Sequence, residues 1–252
     1  MRVIFNADDY GVHPSISRGI REAIEHGVVR STSVLANCAT EEELALLARL
    51  VRRGTSAGVH LNLTRGRPLT AFPQSMLLPE GDFDRSAGCN QTAVPTLPDR
   101  LLMSEFRAQV ERVLPLAPTH LDGHHHIHTF WNTFAVACRL AKRHRLAMRA
   151  VNADMRKALR RRHISCPDHF VSRFFGKNNL SVDNLMALLE EPLASGAAAV
   201  EVMCHPGRWG RLPVSFSSYR RERERELAIL TSPELKRALT RARIEVASYH
   251  EL

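Results

Sequence analysis

Four histidines and one aspartate occupy seven consecutive positions within the segment THLDGHHHIH, residues 119–128. Imidazole and carboxylate groups bind divalent cations, and imidazole also transfers protons near neutral pH. A catalytic metal centre takes about three protein ligands and keeps one position open. On a strand Asp122 and His124 share a face, whereas on a helix His124 and His128 share one. We therefore predict one metal ligand in this run and leave its other histidines, His125, His126 and His128, to hydrogen bonding or substrate contact.

Further polar residues lie where short apolar runs end. They are Asn6, Asp8, Asp9, Asn37, His60, Asn62, Asp122, His124, Arg149 and His205. If the runs are strands of a parallel barrel, these ends open onto the one face where barrel enzymes place their chemistry. Adjacent carboxylates repel each other, and a bound cation relieves that repulsion. The convergence predicts a divalent-metal centre.

Three of these residues also have a purely structural interpretation. Asp8 and Asp9 precede Gly11, and aspartates before glycine commonly form turns. His60 lies between Val59 and Leu61 and fits a buried core histidine equally well. Both interpretations stay open on the sequence alone.

The apolar runs are short and bounded by turn residues, which is typical of buried strands. They span 2–9, 32–38, 57–64, 118–124, 146–152, 198–205 and 242–249. Helical patterns alternate with them at 15–26, 104–114, 131–144, 182–194 and 220–230. A further helix follows a capping box formed by Thr40 and Glu43 and closes near Gly54, and another begins at Ser232 and Pro233.

Alternating strands and helices predict an α/β fold with a parallel sheet, and about seven units favour a closed or nearly closed barrel. We predict one domain over residues 1–252. Segments 65–100 and 153–180 do not follow the alternation of strands and helices and are predicted to be long loops over the site.

Composition excludes several classes of protein. Apolar residues make up 44% of the 252 residues, yet no apolar stretch is long enough to span a bilayer, and the N-terminus does not resemble a signal peptide. We expect a cytoplasmic protein. The five cysteines are odd in number and form no CxxC pair, which argues against a disulfide framework or a zinc knuckle.

The charge is strongly basic, with 35 basic and 26 acidic residues and a formal net charge of +9. It is concentrated at 156–165 (RKALRRRHIS) and 219–226 (YRRERERE). No nucleic-acid-binding motif accompanies either run, so we expect no nucleic-acid partner. The alternating Arg and Glu of the second run indicate ion pairs on an exposed helix.

Cys204 beside His205 also suggests a Cys-His nucleophile. Adjacent residues of a strand point to opposite faces, so a His205 that faces the site turns Cys204 toward the helices. We therefore expect no cysteine nucleophile.

Four ordered motifs make the sequence similar to a known family. NADDYG at 6–11, GVHLNLT at 58–64, THLDGHHHIH at 119–128 and EVMCHPG at 201–207 resemble the YdjC-type carbohydrate deacetylases, which include the chitooligosaccharide deacetylases. The similarity runs nearly end to end. Tyr10 stands where the family more usually has Phe, and Gly123 where it often has Ser.

The resemblance implies a distorted (β/α) TIM-like barrel that uses one divalent metal ion to remove acetate from an N-acetylated sugar. It implies Asp9, His60 and His124 as metal ligands, Asp8 as general base, and His205 and Arg149 as further site residues. We expect His205 to act as general acid and Arg149 to orient Asp8. The metal is expected to be Zn or Mg, although this donor set suits Zn, Co, Ni or Mn better than an all-oxygen magnesium site. A homodimer is suggested by the resemblance alone.

Two other functions compete with this prediction. One is a different metal-dependent amidohydrolase or phosphoesterase on the same barrel, and the other is a non-enzymatic basic protein that binds nucleic acid. Trp131 and Trp209 lie near the histidine motifs, where they suit sugar stacking and core packing equally well.

Overall fold

The strands that pair within the described part of the chain all run parallel in one curled sheet. The computed structural model describes residues 1–210 and 216–252. Its strands are β1 (Arg2–Tyr10), β2 (Ser31–Val34), β3 (Ser56–Leu61), β4 (His120–Gly123), β5 (Ala147–Met148), β6 (His169–Val171), β7 (Ala199–Cys204) and β8 (Glu245–Ala247).

Seven strands follow one another across the sheet in the order β5-β4-β3-β2-β1-β7-β6. The short β8 pairs with the start of β1, and β2 pairs with its end. Between β5 and β6 the described residues form no ladder, although Met148 N donates to Ser165 O across the opening at 2.9 Å. The predicted α/β fold with seven parallel strands in one domain is confirmed, and the sheet is a curled half-barrel.

Helices lie around the outside of this sheet. They are α1 (Pro14–His26), α2 (Glu41–Val51), α3 (Arg85–Gly88), α4 (Asp99–Val113), α5 (Trp131–His144), α6 (Ala153–Arg161), α7 (Val182–Ala194), α8 (Arg221–Leu230) and α9 (Pro233–Arg241). None of the helices in the described ranges has the length and hydrophobicity needed to cross a bilayer.

Local signals in the sequence locate several helix starts. Thr40 and Glu43 form the predicted capping box, in which the Thr40 hydroxyl accepts from Glu43 N and the Glu43 carboxylate accepts from Thr40 N. Ser232 caps α9 by accepting from Leu235 N, and Pro233 occupies the first turn. Both predicted caps are confirmed.

The two segments outside the strand–helix rhythm differ in the structure. Segment 65–100 contains short 3-10 turns, α3 and one antiparallel bridge between Leu77 and Phe83. Segment 153–180 contains α6 and the strand β6, neither of which the sequence pattern suggested. Three residues of strand, two of them only partly buried, are too few to show alternation.

Several predicted strands end earlier than their apolar runs. β2 stops at Val34 rather than at residue 38, because Cys38 N and Ala39 N both donate to Leu35 O in a tight turn. The polar residues therefore lie in the last positions of the strands or in the turns that follow them, on one face of the sheet. That face carries the site.

Candidate metal centre

A cleft of about 1090 Å³ opens at the carboxyl ends of the strands. Five of the predicted site residues line it: Asp8, Asp9, His60, His124 and His205. Arg149, which follows β5, is fully buried and contacts Asp8 from below the cleft. The volume is at the upper end of the range for small-molecule sites, so the cleft has room for a ligand of several rings.

The end of β1 is distorted where its two carboxylates enter the cleft. The pairing of β1 with β2 shifts register between Ala7 and Tyr10, and Asp9 adopts a left-handed backbone with φ 73°. A non-glycine residue in this region carries about 1–3 kcal/mol of strain and is usually held there by its surroundings. The distortion brings Asp8 and Asp9 to the same cleft, although neighbours on a regular strand point to opposite faces.

Asp9, His60 and His124 present three ligand atoms to one point. His124 Nδ1 lies 3.0 Å and His60 Nε2 3.5 Å from Asp9 Oδ1. These atoms all lie within 4.8 Å of one another. Asp9 Oδ1 is buried and accepts no hydrogen bond from the described residues. Such an unpartnered oxygen between two imidazoles fits a divalent cation, and the two-imidazole, one-carboxylate set suits zinc-like metals.

His60 is oriented for ligation by Asp122 at the end of β4. Its Nδ1 lies 2.7 Å from Asp122 Oδ1, so a proton on Nδ1 leaves the Nε2 lone pair directed at Asp9. A carboxylate that orients a histidine ligand in this way is a recurrent feature of metal centres.

Asp8, His60 and Asp122 form a second cluster of suitable atoms. Its carboxylates, however, already accept bonds from Arg149, Asn6 and Ser33. In addition, His60 Nδ1 is engaged with Asp122 itself. The first cluster therefore has the freer ligand atoms for a cation.

Arg149 is the centre of a buried network of carboxylates. Its guanidinium contacts both oxygens of Asp8 at 2.7 and 2.8 Å, Asp122 at 2.9 Å and Glu201 at 2.7 Å. Tyr249, near the C-terminus, donates to the other oxygen of Glu201 at 2.7 Å. The bidentate contact fixes the plane of the Asp8 carboxylate.

The charges of the site set the pKa values of its acids. Burial raises the pKa of Asp8, but Arg149 outweighs this and the pKa lies below its ordinary value. Burial acts likewise on Asp9, where Arg223 and His124 hold the pKa well below the usual range. Burial opposes protonation of His60, yet Asp122 and Asp8 raise its pKa to about 10. The ionised carboxylates of Asp8 and Asp9 thus make the space beside His60 favourable for a positive charge.

His205 follows β7 and forms one wall of the cleft. Burial lowers its pKa to about 4, against the opposing effect of Asp9 and Asp8. Its Nδ1 is buried and has no partner among the described residues. Its backbone N donates to Glu226 of α8, and Glu226 also accepts from Tyr219 Oη at 2.5 Å.

The prediction that 219–226 is an exposed, ion-paired helix is wrong. Glu222, Arg223 and Glu226 are buried on the inner face of α8. Arg223 donates to Asp9 Oδ2 at 2.5 Å, so the metal-ligand candidate is held from its far side. A sequence signal existed: the buried stripe at Leu227 and Leu230, extended by four residues toward the N-terminus, falls on Arg223 and Glu226.

The remaining histidines of the run 119–128 have separate environments. His125 and His126 both adopt left-handed backbone conformations, with φ 52° and 56°, and both line the cleft. His125 Nδ1 contacts Thr64 Oγ1 at 3.0 Å, whereas His126 Nδ1 has no partner in the described chain. His128 is fully buried and does not line the cleft.

Other polar residues at the strand ends brace the cleft wall. Asn62 and Asn37 hydrogen-bond to each other at 2.8 Å, and both donate to Arg65 O. Cys204 is buried and its thiol contacts Asn6 O, while burial holds its pKa well above the ordinary value. That environment gives no support to a cysteine nucleophile.

Fold and site together define a curled α/β half-barrel with a cluster of residues that could hold a cation at its strand ends. The family model described as YdjC-like protein matches residues 2–241. A carbohydrate deacetylase of Geobacillus stearothermophilus is 36% identical over 98% of this chain and 96% of its own. A carbohydrate deacetylase of Clostridium beijerinckii is 32% identical, with 100% of both chains covered.

A solved structure agrees with these matches. A protein of Enterococcus faecalis V583, described as a proposed cellobiose-phosphate cleavage protein, superposes with a TM-score of 0.83 at 27% identity. The match covers 99% of this chain and 98% of that one. The chain belongs to the YdjC-like family, as its four motifs predicted.

Proposed function

We propose that the protein is a metal-dependent carbohydrate N-deacetylase. In this proposal it hydrolyses the acetamide of an N-acetylated sugar to acetate and an amino sugar, with chito-oligosaccharides and related glycosides or glycolipids as substrates. Relatives that match over the full length are named carbohydrate deacetylases. The observation that carries the metal dependence is the convergence of Asp9 Oδ1, His60 and His124 on one point of the cleft.

Asp9, His60 and His124 hold the divalent ion, for which Zn, Co, Ni or Mn fits the donor set better than Mg. When bound, such an ion acidifies water and polarises a carbonyl group. Asp122 accepts a hydrogen bond from His60 Nδ1, so the proton that a cation would displace from His60 is the one on Nε2, and Arg223 occupies the Asp9 oxygen that faces away from the two imidazoles. The protein thereby fixes the ligands before the ion arrives.

Asp8 is the general base that takes a proton from water. It lines the cleft, and its pKa lies below the ordinary value, so it is ionised at neutral pH. Asp8 Oδ2 accepts a bond from Arg149 alone among the described residues. A carboxylate oxygen accepts about two hydrogen bonds, which leaves one acceptor position for water.

His205 is the general acid that protonates the departing nitrogen. With a pKa near 4 it is neutral at the start of the cycle at neutral pH. It therefore donates only after gaining a proton, and the proton that Asp8 removes from water is the source within the reaction. Negative charge that develops on the acetamide oxygen favours the protonated imidazole and draws the proton to His205.

Acetate release tests this function directly. Metal-stripped full-length protein is reloaded with Zn²⁺ and incubated with the N-acetylglucosamine trimer, and acetate is measured by mass spectrometry. We expect release with metal and none after chelation. Equal release by stripped and loaded protein would refute the metal dependence.

Variants separate the ligands from the base. His60→Ala and His124→Ala should each lose Zn²⁺ and activity together, whereas the exposed His26→Ala should keep both. Asp8→Asn should retain Zn²⁺ and lose roughly 100-fold or more in turnover. Its control is Asp82→Asn, which changes a carboxylate on the cleft wall. Normal turnover by Asp8→Asn would show that another group is the base.

A different hydrolase on an anionic sugar is the second candidate. Arg65 and Arg85 line the cleft, and the Enterococcus faecalis relative is described in terms of a phosphorylated disaccharide. A phosphoesterase releases inorganic phosphate from a sugar phosphate and no acetate from the N-acetylglucosamine trimer. Assaying both products from the same loaded protein decides between the two candidates.

A further inference from the structure

Exposed large apolar side chains fall into two groups in the described part of the chain. They are Leu78, Leu114, Trp131, Phe175 and Leu193. Only Leu78 and Phe175 line the cleft. Neither Trp131 nor Trp209 belongs to the described cleft wall, so the tryptophans suggested by the sequence for sugar stacking lie elsewhere.

Phe175 is mounted on Tyr219 as a fixed pair. The rings are stacked with 4.3 Å between centroids and 12° between planes. Tyr219 Oη donates to the buried Glu226 and accepts from Gly176 N at 3.3 Å, so Tyr219 is tied both to α8 and to the residue after Phe175. Although Tyr219 covers one of its faces, the Phe175 side chain remains 43% exposed. The uncovered face is therefore open to the cleft.

The other two phenylalanines of this wall, Phe83 and Phe216, are already engaged. Phe83 is buried and meets Phe72 edge to face. The guanidinium of Arg65 lies 3.9 Å above the Phe216 ring, and the His13 and Trp209 rings contact it edge to face. Phe175 instead meets His205 edge to face at 5.4 Å. The Phe175 ring thus adjoins the side chain that we assign as the general acid.

We propose that Phe175, supported by Tyr219, is the surface on which a pyranose ring of the substrate stacks. The inference rests on the proposed sugar substrate. One face of a pyranose presents C–H groups, which bury apolar area against an aromatic ring while the equatorial hydroxyls stay at the ring edge and remain hydrated. A ring stacked on Phe175 holds its substituents beside His205. Exposing an aromatic ring to water is unfavourable, and binding of the sugar ring explains why the cleft contains one.

Binding to the metal-free, full-length protein tests the platform apart from catalysis. The N-acetylglucosamine trimer is titrated by calorimetry into wild type, Phe175→Ala, Phe175→Leu and Phe175→Trp. We expect Kd to rise roughly tenfold for Ala and Leu and to stay within about threefold for Trp. Trp131→Ala removes an exposed aromatic outside the cleft wall and should leave Kd unchanged.

Saturation-transfer NMR identifies the part of the sugar that makes the contact. Stacking places the strongest saturation on the ring protons of one sugar face, and Phe175→Ala should abolish it. Wild-type affinity in Phe175→Ala, equal loss in Trp131→Ala, saturation confined to the acetyl methyl group, or no trimer binding by wild type would each overturn the platform. Acetate release is scored separately, so a protein that binds through Phe175 without releasing acetate contradicts the proposed function and leaves the platform standing.

Discussion

The helices α6 and α8 are both rich in arginine, yet they use their charges in opposite ways. On α6 and the turn after it, Lys157, Arg160, Arg161 and Arg162 are exposed, and Arg160 pairs with Asp168 at the surface. On α8, Arg223 and Glu226 are buried and reach Asp9, His205 and Tyr219. Similar composition therefore gives a solvated surface in one helix and part of the site in the other.

The difference follows from which face of each helix meets the barrel. The inner face of α6 carries the apolar Met155 and Leu159. The inner face of α8 carries Leu227 and Leu230 in its later turns and Arg223 and Glu226 in its earlier ones, where it reaches the strand ends. Burying a charged or polar group is costly unless it is paired: Arg223 pairs with Asp9, and Glu226 accepts hydrogen bonds from Tyr219 Oη and His205 N. A charge on the core-facing stripe of a helix therefore points to a partner inside the fold.

Arg223→Ala gives the largest expected effect. It leaves the buried Asp9 carboxylate without its guanidinium partner, so the free energy of unfolding of metal-free protein should fall by about 3 kcal/mol. Arg225→Ala, at an exposed position of the same helix, should change it by less than about 0.5 kcal/mol. Urea denaturation of both variants measures the difference. Equal stability of the two would show that the burial of Arg223 has no energetic consequence.

The sequence predicts the fold well because its signals are local. Strand-length apolar runs, a capping box at Thr40 and a Ser-Pro helix start each depend on a few neighbouring residues. The apolar pattern misses β6 because three residues, two of them only partly buried, carry no period, and it makes β5 too long because the β5 ladder has two residues. Such short strands form because a neighbouring strand pairs with them, and this long-range pairing leaves no signal in the local sequence.

The site is predictable only where its residues end strands. Asp8, Asp9, His60, His124 and His205 line one cleft because parallel strands end on one face. Arg223, Glu226 and Phe175 come from a helix and a loop that reach the cleft through tertiary packing. The alternation of Arg and Glu in 219–226 suggested ion pairs within the helix, whereas Arg223 and Glu226 contact residues far away in sequence.

Arg223→Lys tests whether the α8 cation orients the metal ligand or only neutralises it. Lysine keeps the charge but lacks the planar fork that reaches both Asp9 and the His205 carbonyl. We expect the Kd for Zn²⁺ by calorimetry to rise about tenfold, as for other residues that support metal ligands. Arg225→Lys should bind as wild type does. Unchanged or tighter binding by Arg223→Lys would mean that Arg223 competes with the ion for Asp9.

Glu226→Gln probes the pH dependence that a buried acid on α8 creates. Burial raises the pKa of Glu226 to about 8 from 4.5, although the bonds from Tyr219 and His205 oppose the shift. The folded state then binds more protons than the unfolded state between about pH 4.5 and 8, so this contribution to stability is present below that window and declines as pH rises. The slope is at most about 1.4 kcal/mol per pH unit.

Glutamine imitates the protonated acid and should remove this slope. Urea denaturation of wild type and Glu226→Gln from pH 5 to 8 measures this. The free energy of unfolding of wild type should fall relative to that of the variant as the pH rises. The exposed Glu224→Gln provides the matched control on the same helix. A difference that stays constant with pH would show that Glu226 is ionised throughout.

Arg161→Ala and Arg162→Ala on the α6 side should have the smallest effect. Both arginines are exposed; Arg162 donates to Ala158 O and lies over the Phe134 ring, and neither reaches the cleft. Stability should change by less than about 0.5 kcal/mol for each, and acetate release should be unaltered. Because we expect no nucleic-acid partner, a mobility-shift titration with DNA and RNA at physiological salt should give no retardation for wild type or variants. If wild type were retarded and the double variant Arg161→Ala/Arg162→Ala were not, the exposed arginines would form a nucleic-acid-binding surface. Both helices would then carry functional charges, α6 at the surface and α8 in the cleft.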